Sequence, residues 1–116
     1  MSSESFDKDF IAALNNAAVQ IHFTSIGHGW WDLNRSDGET ILLMHCDLSE
    51  AVEFLREGNG PSDHIPAFSG LEEELADVII RILDFAKRKN LRIAEAVIEK
   101  MKFNEGRPYR HGGKGL

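Results

Sequence analysis

Carboxylates recur every three or four residues in the stretch MHCDLSEAVEFLRE, at Asp47, Glu50, Glu53 and Glu57, with Leu, Val and Phe set between them. A second run, EELADVIIRILDFA, repeats the arrangement with Glu74, Asp77, Arg81 and Asp84. Residues three or four apart share a helix face, so each run draws one acidic stripe. Two such stripes brought together would repel, or take up protons, unless a cation stood among them. The donors are all oxygen, which suits Mg²⁺ or Mn²⁺ better than zinc. The competing reading is a solvated charged face, the ordinary fate of Glu-x-x-Glu on a helix. Against it stands the company these carboxylates keep. Leu43 and Phe54 fall between Asp47 and Glu50 around the helix, Cys46 falls beside Glu53, and apolar residues cover most of the circumference left by the second stripe.

Positioning the stripes requires helices. Strict alternation is missing and apolar residues recur at helical spacing, which predicts an all-α chain of four helices. The first spans about Asp7 to Ser25 and ends at the Gly-rich IGHGWWD. The second starts near Asp37 or Glu39 and stops at Gly58, before the turn-rich GNGPSDHIPAF. The third follows an N-cap at Ser69 and ends in the basic KRKN. The fourth covers about Arg92 to Asn104, and the tail from about residue 105, EGRPYRHGGKGL, is expected to be irregular and basic. One domain over residues 1–116 is the natural expectation for this length.

Composition narrows the classes. With 42% hydrophobic and 28% charged residues the chain reads as globular. Its net charge of −6 hides an asymmetry: residues 100–116 hold five Lys/Arg against one Asp/Glu, which leaves −10 on the first 99. An acidic body of that kind is poorly suited to a nucleic acid polymer. It suits a small anion held partly by metal ions and partly by Lys and Arg. No apolar run approaches the ~18–20 residues needed to span a bilayer, so no membrane partner is expected. The opening MSSESFDKDF lacks the pattern of a signal peptide, and the lone Cys46 fits a reducing compartment, so the expected location is cytoplasmic. Helices two and three are apolar around more of their surface than four helices can cover, which predicts a homo-oligomer.

Three blocks, HCDLSEAVEFLREG, EELADVIIRILDFA and EKMKFNEGRPYRHGGKG, together resemble the MazG-like all-α nucleotide pyrophosphohydrolases, in the expected order and over nearly the whole chain. The resemblance implies a four-helix bundle-like fold assembled as a homodimer or homotetramer. It implies Mg²⁺-dependent conversion of a nucleoside triphosphate, often deoxy or non-standard, to the monophosphate and pyrophosphate. The family's metal signature pairs Glu-x-x-Glu with a later Glu-x-x-Asp. The second half falls on Glu74 and Asp77. The first has two registers, Asp47 with Glu50 or Glu50 with Glu53; the former is preferred, with Glu53 as an added ligand. Asp47 and Cys46 stand where close relatives carry Glu and Ser. Glu50 or Glu53 is expected to take the proton from the attacking water.

The same resemblance assigns substrate contacts to Lys100, Asn104 and Arg107, and places His22 and Trp31 near the nucleobase. Lys100 and Asn104 share a helix face by spacing alone. Arg81, inside the acidic stripe, is either a phosphate ligand or a structural counter-charge. Trp30 and Trp31 offer a stacking surface for a base, or simply core. A non-catalytic helical nucleotide-binding or interaction module is the alternative, favoured by the Asp47 departure.

Overall fold

The helices start where side chains can serve their free amides. Ser3 accepts a hydrogen bond from the Phe6 amide and opens α1, Glu4–Gly27, with Glu4 and Asp7 in the first turn where negative charge suits the helix dipole. That start lies three residues before the one the apolar spacing predicts. In the computed structural model, which describes residues 3–109, the Gly-rich segment after α1 is not a plain connection. Gly29 takes φ of 81°, and a short 3₁₀ turn, η1, follows over Trp30–Asp32. Ser36 then caps α2, Asp37–Arg56, in a reciprocal capping box with Glu39. Ser69 does the same with Glu72 for α3, Gly70–Lys89, whose last turn carries Lys87, Arg88 and Lys89. Asn90 ends α3 in the left-handed conformation, and α4 runs Ile93–Glu105. Among the described residues the chain is all-α, without a strand. No described helix is long and apolar enough to cross a membrane.

Helix α3 is the centre of the arrangement. It lies antiparallel to α2, with Lys89 paired to Asp37 at one end, Arg81 bonded to Asp47 in the middle and Phe54 against Gly70 at the other. The last contact sets the crossing. A Cβ on Gly70 would fall 2.1 Å from the Phe54 ring, so only glycine lets that ring rest on the start of α3. On its other side α3 meets α1, where His22 and Ser25 bond to Asp84. Helix α4 folds back along α1, with Lys102 paired to Asp7.

The α2–α3 loop closes on itself. Gly70 donates to the Gly60 carbonyl and Ser62 to that of Phe68. The buried Ser62 hydroxyl bonds Glu73 and accepts from the amides of His64 and Ile65. Such a clip fixes the first turn of α3 and hence the height of Glu74 on it.

The core of one chain is thin. Its buried apolar residues are Ala18, Ala51, Leu83, Ala86, Ala94 and Ile98, mostly small. Larger groups lie open, with Phe23 at 72% exposure, Leu42 at 62% and Ile79 at 57%. The radius of gyration, 16.7 Å, exceeds the roughly 13 Å expected of a compact chain of this length.

Candidate metal centre

Asp47 and Glu50 stand one turn apart on α2 and face Glu74 across the interface with α3. One carboxylate oxygen from each lies within 4.8 Å of the others. Asp47 and Glu74 are buried, and Glu50 forms the open side. The Glu74 Oε2 atom is buried, and no donor group among the described residues reaches it. Leaving such an acceptor unsatisfied is costly, and the chain answers by protonation: the Glu74 carboxyl is pushed up to about 7. Burial is the main cause, followed by the charge of Glu50 and a hydrogen bond with it, then Asp77 and Asp47. Asp77 sits a turn further along α3. Its carboxyl is raised by burial and by the charges of Asp47 and Glu73, against the lowering pull of Arg81 and His64.

These residues fit a hard divalent cation. The donors are carboxylate oxygens, close enough to share one ion, and one of them, Glu74 Oε2, meets no hydrogen-bond donor among the described residues. Of the two registers open in the sequence, the structure brings Asp47 and Glu50 to Glu74. Glu53 lies elsewhere: its side chain is 59% exposed and bonded to Arg56 at 3.2 Å. At 100° per residue it lies about 60° further around α2 than Glu50 and about 120° from Asp47, which carries it away from the interface.

Arg81 joins the cluster to its surroundings. Its Nε donates to Asp47 Oδ2 at 2.5 Å, and its guanidinium carbon lies 4.5 Å from the centre of the Trp30 ring. Arg35 lies over the same ring at 4.0 Å and donates to the Trp30 carbonyl. Trp30 is therefore a seat for two guanidinium groups rather than an uncovered stacking surface. Beyond Arg81 opens a cavity of about 550 Å³, lined by Ile21, Thr24, Ser25, His28, Trp30, Ile80 and Asp84 among others.

His22 and Trp31 meet at Asp84, which the sequence placed in the acidic stripe without a role. His22 Nδ1 lies 2.6 Å from Asp84 Oδ1, Ser25 donates at 2.8 Å, and the Trp31 indole donates to both oxygens at 3.1 Å. Arg88 covers the Trp31 ring at 4.9 Å. With its oxygens engaged in this way, buried Asp84 ties α1, η1 and α3 together at the cavity wall. The signal available in sequence was an aspartate among apolar neighbours on a helix that had to be buried. Its partners, distant along the chain, left no pattern.

Lys100, Asn104 and Arg107 are exposed and lie at the far end of the molecule. Lys100 and Arg107 both stand over Phe103, at 4.5 and 5.5 Å. Lys102, on the same turn, is held at Asp7, whereas the cavity lies by Ser25. Eighteen residues of α1 separate these points, about 27 Å of helix. Within one chain, then, the basic trio does not reach the carboxylates. The part of the basic tail from residue 110 lies outside the described residues.

No protein-family model, curated protein or solved structure matches the chain.

Proposed function

We propose that this chain is a Mg²⁺-dependent nucleoside triphosphate pyrophosphohydrolase of the MazG-like kind, with Mn²⁺ as a substitute, working as a homo-oligomer in the cytoplasm. The observation that carries the reading is the meeting of Asp47, Glu50 and Glu74 around a buried, unpartnered Glu74 oxygen. A cation bound there would neutralise phosphate charge and make the attacking water more acidic. The chain's own residues supply the rest. Asp47, Glu50 and Glu74, with Asp77 beside them, hold the cation. Glu50, the exposed member, is placed to accept the water's proton at a carboxylate oxygen. Arg81 presents a cation toward the cavity, whose apolar wall of Ile21, Ile80 and Trp30 excludes water from a base.

Self-association follows from the thin core and the open apolar faces. Ile41, Leu48, Val52 and Leu55 along α2, with Leu75 and Ile79 on α3, are all more than two-fifths exposed. A second copy laid on that surface would complete a bundle and could bring its Lys100, Asn104 and Arg107 to this cluster. A non-catalytic nucleotide-binding or oligomeric module is the second reading, favoured by the distance of that basic trio from the carboxylates within one chain.

The test is a panel of canonical and modified NTPs and dNTPs with Mg²⁺, scoring pyrophosphate against orthophosphate. Pyrophosphate release that Glu50→Gln lowers by about 100-fold or more, with helicity unchanged, supports the reading. No turnover across the panel favours the binding module. Near-normal turnover in Glu50→Gln removes that residue from the chemistry.

A further inference from the structure

Arg81 belongs to two environments at once. Its Nε is bonded to Asp47, a ligand candidate, while the residue also lines the cavity and its guanidinium lies over Trp30. Asp47 is 7% exposed, so its charge needs a partner inside the fold, and among the described residues Arg81 is that partner. Glu74, 8% exposed, has none for Oε2. The cluster thus holds a buried acceptor awaiting a cation and another already served by a side chain on a flexible stem. Arg81 itself keeps 29% of its side chain exposed and is one of the residues lining the cavity. It has somewhere to go.

Resting on the pyrophosphohydrolase reading, we infer that Arg81 is an exchangeable counter-ion. It neutralises Asp47 until a divalent cation takes that carboxylate, and then turns its guanidinium to a phosphate group in the adjoining cavity. The exchange keeps the charges balanced throughout. When Asp47 turns to the cation, Arg81 is left as an unpaired cation lining the cavity, where its charge draws a phosphate, so cation and phosphate bind with mutual support. Guanidinium is the right group for this, because its planar fork serves carboxylate and phosphate equally well and it never loses its proton. Trp30 is the resting surface across which it pivots, shared with Arg35, whose bond to the Trp30 carbonyl holds the ring in place.

The inference predicts effects of opposite sign from one substitution. In Arg81→Met, Mn²⁺ alone, followed by electron paramagnetic resonance, binds about tenfold more tightly than to the wild type, because the competing cation has gone. Inorganic pyrophosphate in saturating Mg²⁺, followed by calorimetry, binds about tenfold more weakly, because its partner has gone. A purely structural arginine would weaken both, and that result, or unchanged Mn²⁺ affinity, overturns the exchange while leaving the cation site standing. Absence of Mn²⁺ binding in both proteins overturns the cation site and the exchange together.

If Arg81→Met does not fold, Mg²⁺ titration of the wild type reads the same event through indole fluorescence. A change that disappears in Trp30→Phe supports departure of the guanidinium from that ring. A change that persists there, or none at all, overturns it.

Discussion

Glu74 is the residue on which the electrostatics of the cluster turn. Its carboxyl is raised from an ordinary 4.5 to about 7, so the folded chain holds this proton where the unfolded chain has lost it. Folding stability from this group is therefore present below about pH 4.5 and falls as pH rises toward 7 and beyond. Thermal melts without divalent ions should show the melting temperature declining between those limits, with the slope flattened in Glu74→Gln. Added Mg²⁺ should raise the wild-type melting temperature most at the alkaline end, where the carboxylate is free of its proton, and do little for Glu74→Gln. A wild-type slope no different from that of Glu74→Gln would remove the buried-carboxyl account. The acid pattern at Glu74, Asp77, Asp47 and Glu50 was legible in sequence because spacing alone puts them on stripes. Glu53 shows the limit of that logic: it shares the spacing, but the crossing of α2 over α3 selects one edge of the stripe and leaves the other in water beside Arg56. Asp84 shows the converse, a group whose purpose is visible only once His22, Ser25 and Trp31 are beside it.

That crossing is decided at the level of elements, by Phe54 on Gly70. Gly70→Ala would drive a methyl group into the aromatic ring, and overpacking of this sort costs about 1–3 kcal/mol. Because the ring sits one turn beyond Glu50, its displacement should also weaken Mn²⁺ binding. Phe54→Leu in the same background should recover part of both losses, which urea unfolding and metal titration would reveal. Loss of stability without loss of metal affinity would show that the crossing tolerates the shift. The helix limits themselves were largely readable, since Ser69 announces α3 through its capping box and the basic KRKN closes it. Ser3 carries no comparable signal, because apolar periodicity begins only after it. The 3₁₀ turn at Trp30–Asp32 was hidden for a different reason: three residues cannot show a period, and Gly29 needed its positive φ to be seen.

At the scale of the molecule, alanines line the closest contacts while Phe23, Leu42, Ile79 and Leu55 remain open, so one chain gains little from folding alone. Its melting temperature should rise with protein concentration, and Ile79→Lys should shift the species seen by light scattering to the monomer with lowered stability. A stable wild-type monomer would contradict this. The length of α1 that separates the basic end of α4 from the cavity, about 27 Å, then has a genetic corollary under the proposed function. On the proposed function, Glu50→Gln and Lys100→Ala are each expected to be inactive as a pure preparation and to regain partial turnover when unfolded and refolded as a mixture. Hybrid assemblies would pair an intact acidic half with an intact basic half at some of their centres. Were the proposed activity shared between subunits in this way, a defective sibling in the same cell would silence the assembly it joined, and the defect would be dominant.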